Sequence, residues 1–281
     1  MDRQLIEALL QQVANSRIDS ATDAAQEIMF DAWEETDPGR RIAMARQALR
    51  VSPLCADAYV LLAEETAQHP QDAVALYARG VEAGAQALGE AAFEDDAGDF
   101  WGLIETRPYM RARFGLAMAL WSCGRREEAA EHGVELLRLN PNDNQGVRYL
   151  LLTWLVALGR DDDAGALIKA YKHDGAGGWA WSTALAIFRR RGRCAASTKA
   201  LAKAIDVNRH VADYLLSRKR LPKTLPAYIS WGDKDEAVAY AHEAKAVWAS
   251  IEGALAWLEA TAPAPRPRRT SRTPPGRSGD Q

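Results

Sequence analysis

The densest group of side chains able to recognise another molecule is the run Phe100-Trp101-Gly102-Leu103-Ile104-Glu105-Thr106-Arg107-Pro108-Tyr109-Met110-Arg111-Ala112-Arg113-Phe114. Arginine offers a planar fork of donors that matches a carboxylate, and tryptophan and tyrosine add rigid contact area. Trp101, Arg107, Tyr109, Arg111, Arg113 and Phe114 are therefore candidates for a partner-binding surface. The same residues would also suit an interdomain packing segment, its arginines paired with the acids from Glu94 to Asp99. A shift of 35 positions carries Arg113 onto Arg148 and Phe114 onto Tyr149. Chemistry repeated at equivalent helical positions builds a periodic surface, on which Asn144 could bond an extended backbone. The two arginines could instead bridge neighbouring repeats.

Residues that catalyse or hold metals are not grouped in this way. There is no G-x-S-x-G, Walker-type loop or paired catalytic carboxylate motif, and Asp95-Asp96 and Asp161-Asp162-Asp163 read as solvated loop or helix-start charge. His69, His132, His173, His210 and His242 are scattered, without H-E-x-x-H spacing. Cys55, Cys123 and Cys194 are odd in number and lie in or beside apolar helical patterns, where a thiol behaves as a small hydrophobe. Gly175-Ala176-Gly177-Gly178 lacks the lysine and preceding strand of a phosphate cradle and reads as a flexible turn between helices. The expectation is a protein that is not an enzyme and uses no cofactor and no metal.

The elements that must position these residues are helices. Apolar residues step at i, i+3, i+4, i+7, i+8, as in Ala25, Ile28, Met29, Ala32 and Trp33. Asp37-Pro38-Gly39, His69-Pro70, Arg107-Pro108, Cys123-Gly124, Asn140-Pro141 and Leu158-Gly159 sit between periodic segments. The series Leu116, Leu120, Gly124-Arg125, Glu128-Ala129 returns 35 positions later as Leu151, Leu155, Gly159-Arg160, Asp163-Ala164, close to the period of about 34 residues of tetratricopeptide units. The glycine permits the tight turn and the alanine lets two antiparallel helices approach. Leu136-Leu137-Arg138-Leu139-Asn140-Pro141 and Ala48-Leu49-Arg50-Val51-Ser52-Pro53 share one helix ending. These patterns predict an all-α, tetratricopeptide-like helical-repeat solenoid over residues 1–260. An irregular insertion at about 84–107 is marked by Gly84, Gly89, Gly98 and Gly102. Past Pro226 the helical pattern resumes with Ala237, Tyr240, Ala241, Ala244, Val247 and Trp248.

Residues 261–281 hold five arginines and five prolines with few apolar side chains, the composition of a disordered tail. The whole chain nevertheless carries a net charge of −3. The body is therefore acidic, which opposes phosphate-backbone binding and makes nucleic acid an unlikely partner. No apolar run reaches the ~20 residues that span a bilayer, and Met1-Asp2-Arg3-Gln4-Leu5-Ile6 shows no signal-peptide pattern. A cytoplasmic location without membrane contact is expected.

Ala58-Tyr59-Val60-Leu61-Leu62-Ala63-Glu64-Glu65, and the blocks from Asp213-Tyr214-Leu215-Leu216 through Trp231-Gly232-Asp233-Lys234-Asp235-Glu236-Ala237-Val238-Ala239-Tyr240-Ala241 to Ile251-Glu252-Gly253-Ala254-Leu255, resemble the suppressor of tumorigenicity seven family. Animal members look like helical-repeat proteins with membrane spans near their N-terminus, a feature without counterpart in this sequence. The resemblance implies a helical fold and supplies no established chemistry. Tetratricopeptide scaffolds line their concave side with first helices, and a peptide would lie there. The expected function is a protein-interaction scaffold that binds a peptide or protein segment in a concave groove. The alternatives are a nucleic-acid-associated protein using the basic tail, and an enzyme without a recognisable motif.

Overall fold

The computed structural model describes residues 20–262 as helices joined by turns, with no strand among them. The expectations for the N-terminal residues and for nearly all of the basic tail lie outside the described residues. The chain divides into two compact units, up to Lys172 and from His173 onward. The first contains α1 (20–34), α2 (Pro38–Val51), α3 (Ala56–Thr66), α4 (Pro70–Asp95), α5 (Arg107–Ser122), α6 (Arg126–Leu139), α7 (Val147–Leu158) and α8 (Asp161–Ala170). The second contains α9 (Gly177–Arg191), α10 (Ala195–Val207), α11 (Val211–Leu215), α12 (Lys234–Ser250) and α13 (Ala254–Thr261).

In the first unit, from α2 onward, each helix packs against the next, across short connections except for the segment 96–106 between α4 and α5. One core joins Ala25, Met29 and Ala32 of α1 to Ala45 and Ala48 of α2 and to Ala58, Leu61 and Leu62 of α3, with Cys55 buried among them. Burial pushes the Cys55 thiol up to about 11, which leaves it a protonated packing residue. A second core sets Leu116, Ala117 and Leu120 of α5 against Ala129 of α6 and Trp154 of α7. Trp154 also stacks on Trp121 at 4.8 Å between ring centroids.

The two glycine turns have one geometry. Gly124 and Gly159 adopt φ of 80° and 77°, a left-handed conformation that a Cβ disfavours. At the first turn Gly124 N–H donates to Trp121 O and Arg125 N–H to Leu120 O; at the second, Gly159 N–H donates to Val156 O and Arg160 N–H to Leu155 O. This is the helix-closing pattern that satisfies the last carbonyls of a helix before the chain reverses. Ala129 and Ala164 are both buried after these turns. The shared helix ending is equally regular: Ser52 and Asn140 both sit at φ −142° and donate to the carbonyl four residues back.

The stretch from Gly84 differs from expectation. It is helical through Asp95, broken only at Gly89, where φ is 77°. Gly84 is a helix contact point rather than a loop residue, and Gly80, one turn before it, is another. A Cβ on Gly80 would lie 3.1 Å from Ala112 Cβ, and one on Gly84 would lie 3.0 Å from Tyr109 Cβ. Both glycines let α4 and α5 approach closely.

The second unit is built on an aromatic core in which Trp248 lies between Trp181 and Trp257, at 5.9 and 6.2 Å, and Phe188 stacks on Trp257 at 4.3 Å. Its polar centre is Glu236, which is buried. Glu236 accepts from Gly177 N–H at 2.7 Å, Gly232 N–H at 2.8 Å and Asn208 Nδ2 at 2.9 Å. Of the glycine run expected as a turn between helices, Gly175 and Ala176 precede α9, whereas Gly177 and Gly178 begin it: a Cβ on Gly177 would meet Glu236 Oε2 at 2.6 Å. The helical pattern expected past Pro226 begins at Lys234, and α13 extends to Thr261, one residue past the expected tail boundary, with Ala262 buried beyond it.

Ala129 is fully buried at the approach of α6 to α5, so Ala129→Trp should lower unfolding stability by about 1–3 kcal/mol through overpacking. Urea denaturation followed by circular dichroism checks this, and an unchanged midpoint would refute the close approach.

Candidate functional site

The first unit contains a cleft of about 830 Å³ lined by α1, α4, the start of α5 and the turns that precede α5. Beneath the lining residue Arg111 lies an ion pair whose carboxylate is buried. Asp57, on α3, is fully buried and accepts from Arg111 Nε at 2.8 Å and Arg111 Nη2 at 2.5 Å. Gln26 Nε2 donates to the same carboxylate at 2.8 Å. A bidentate guanidinium with a further amide donor is what a carboxylate needs to remain charged away from water. The triad ties α1, α3 and α5 together, and Gln26 and Arg111 both face the cleft.

One wall is the segment 96–106. Gly98 N–H and Phe100 N–H donate to Leu139 O at the end of α6. Phe100 is fully buried and meets Phe93 and Tyr109 at 5.2 and 6.1 Å. Thr106 Oγ1 donates to the carbonyls of Phe100 and Leu103, which folds the segment back on itself. With its root fixed, the tip points outward: Leu103 is 37% and Ile104 61% exposed. Phe30 on α1, 44% exposed, also lines the cleft. Asp23, Glu27, Asp96 and Glu105 stand among these apolar residues.

The residues singled out in the sequence fall into several groups. Arg107 donates from Nε to Trp101 O at 2.9 Å and lies over the Trp101 ring at 5.7 Å. Tyr109 is buried against Phe93 and Phe100, and its hydroxyl accepts from Arg113 Nη1. Arg148 donates to Asp143 Oδ2 and to the Tyr149 hydroxyl, both at 2.7 Å, and lies over the rings of Tyr149 and Tyr171 at 4.3 and 5.3 Å. Asp143 in turn accepts from Val147 N–H and Arg148 N–H, so this group secures the start of α7. Phe114 is half-buried on α5 and Asn144 is exposed in the turn before α7. Arg107, Tyr109 and Arg111 line the cleft.

Sequence reasoning missed Asp23, Gln26, Glu27, Phe30 and Asp57, and read Asp96 as solvated charge or a partner for the arginines. Two signals were present. Asp57 interrupts the run Cys55-Ala56-Asp57-Ala58-Tyr59, and a carboxylate in a buried stretch demands a partner. Phe30 lies off the apolar stripe of its helix, so the core does not account for it.

Outside the cleft lining, on α6, the His132 imidazole is displaced from its ordinary range. Burial pushes the His132 imidazole down to about 4, with the Arg113 guanidinium acting the same way and Glu128 opposing. Among the described residues no group of three or more His, Cys, Asp or Glu side chains could hold a metal ion.

Residues 11–137 and 181–265 match the family described as ST7 protein. The chain is 30% identical over 256 residues to human suppressor of tumorigenicity 7 protein-like, covering 83% of this chain and 44% of that protein. It is 28% identical over 258 residues to the Drosophila melanogaster protein ST7 homolog, covering 84% of this chain and 48% of that protein. It is 28% identical over 283 residues to the suppressor of tumorigenicity 7 protein of Macaca fascicularis, covering 84% and 52%. The chain thus spans about half the length of the curated relatives it matches.

Two predictions follow the site's physics. Arg111→Met leaves the Asp57 carboxylate buried with only Gln26 beside it and should cost about 3 kcal/mol or more of stability, whereas Asp57→Leu with Arg111→Met should recover much of that loss. Urea melts of the single and double variants check it, and equal losses would contradict it. For His132, the folded-state pKa lies below the unfolded value near 6.5, so the unfolded chain binds the proton first. Its contribution is full above about pH 6.5 and should be lost as pH falls toward about 4. The difference in melting temperature between the parent and His132→Gln should therefore change across that window, and a constant difference would contradict the assignment.

Proposed function

The chain belongs to the ST7 protein family, and from the cleft of its first unit we propose a protein-interaction scaffold that binds a short segment of another protein. The carrying observation is the combination of a cleft with outward-facing Phe30, Leu103 and Ile104 and an excess of carboxylate on its lining. Exposed apolar side chains set among charges, on rigid supports, are the makings of a recognition site. Of the two lining arginines, Arg111 is committed to Asp57 and Arg107 turns its Nε to Trp101 O, so the carboxylates Asp23, Glu27, Asp96 and Glu105 outnumber the cationic groups and favour a cationic occupant. The matching occupant is a segment with apolar anchors flanked by lysine or arginine.

The reading includes a tetratricopeptide-like repeat. It is supported by the two glycine turns 35 residues apart with the same hydrogen bonds, and by buried alanines at the same offset. It departs from the sequence expectation in where the partner lies. Arg113 and Arg148 hold Tyr109 and Asp143 in place, so the cleft, with Arg107, Tyr109 and Arg111 in its lining, is the better-supported seat. Binding rather than turnover is proposed, since the lining residues Gln26 and Arg111 are engaged with Asp57.

Selection from a displayed peptide library against the full chain tests this. Enriched sequences should pair Leu, Ile or Phe with Lys or Arg. Phe30→Ser with Ile104→Asp, both at exposed positions, should weaken the best peptide more than tenfold while helicity is unchanged. Absence of enrichment, or peptides indifferent to the double change, would overturn the proposal.

A further inference from the structure

The second unit carries a surface unrelated to the cleft. Residues 216–233 join α11 to α12 without regular structure, yet both ends of this segment are pinned. At one end Lys219 N–H donates to Asp213 O at 2.9 Å and Lys219 Nζ pairs with Asp213 at 2.6 Å. At the other, Gly232 N–H donates to Glu236 and Asn208 Nδ2 donates to Asp233 O at 2.9 Å. Between these anchors the chain projects four large apolar side chains: Leu225 is 45%, Tyr228 86%, Ile229 53% and Trp231 69% exposed. Such a concentration on one short connection is unlike the scattered apolar residues of an ordinary surface.

Charge is equally one-sided. No Asp or Glu lies between Asp213 and Asp233, whereas Arg218, Lys219, Arg220 and Lys223 do. Arg218 and Lys219 approach carboxylates of the unit, and Arg220 and Lys223 are exposed. We propose that residues 216–233 dock on an anionic lipid surface, with the four apolar side chains entering the interface and Arg220 and Lys223 meeting headgroups. Tryptophan and tyrosine favour the headgroup boundary, and basic residues add attraction to acidic lipid. Half of the projecting set is aliphatic, which suits an acyl boundary and is useless for stacking nucleobases; single-stranded nucleic acid would call for aromatic platforms. Among the described residues no helix is long and apolar enough to cross a membrane, so the contact would be peripheral, a different physical state from spanning.

Flotation of the full chain with vesicles of phosphatidylcholine alone, or with phosphatidylserine added, tests the proposal. Binding should need phosphatidylserine. Replacing Leu225, Tyr228, Ile229 and Trp231 together by serine should weaken it at least tenfold, and Arg220→Glu with Lys223→Glu should do the same, each with circular dichroism unchanged. No flotation would overturn the proposal. So would equal flotation of parent and serine variant, which would assign binding to the arginines beyond residue 262. Loop-dependent binding of a single-stranded oligonucleotide in place of vesicles, or loop-dependent self-association without vesicle binding, would overturn it as well.

Discussion

The constraint on which the first unit depends is the burial of the Asp57 carboxylate. A charge without water must be met by donors of good geometry or it neutralises or unfolds its surroundings. Here Arg111 supplies two donors from α5 and Gln26 a third from α1. Three helices distant in sequence are thereby fixed in register around one point. The cleft is what remains beside that point once α4 has closed on α5 through Gly80 and Gly84. Its lining at Gln26 and Arg111 is therefore rigid for reasons unrelated to any ligand, and its recognition chemistry lies in the exposed tip of the 96–106 segment and in Phe30.

The second unit solves the same problem with other parts. Glu236 is buried and takes three N–H donors, from two glycine backbones and the Asn208 amide. That arrangement fixes the start of α9 and the end of the 216–233 connection together. A connection that is rigid at its roots can hold Tyr228 and Trp231 out in solvent, where a loose loop would fold them back onto the surface. In both units a buried carboxylate makes the framework, and exposed apolar residues on adjoining segments provide the chemistry that faces outward.

Much of this organisation was legible in the sequence. The helical period, the paired turns at Gly124 and Gly159 and the shared endings at Ser52 and Asn140 are local patterns, and local hydrogen bonding decides them. Long-range roles were harder to read. Gly84 looked permissive of a loop, but a glycine is also what lets two helices touch, and only the identity of the neighbour distinguishes the cases. The arginines drew attention as recognition residues, and Arg111 proved to be committed internally because a buried acid 54 residues away required it. Phe30 and Ile104 gained meaning only when distant segments met across the cleft.

Amide hydrogen exchange of the full chain, with and without a bound basic, apolar-anchored peptide, examines most directly whether the cleft built on Asp57 is where a partner sits. The account predicts slowed exchange in α1, in the later part of α4 and in residues 96–107, with α6 to α8 unaffected. Protection confined to α6 to α8 or to the second unit, with the cleft segments unchanged, would contradict it.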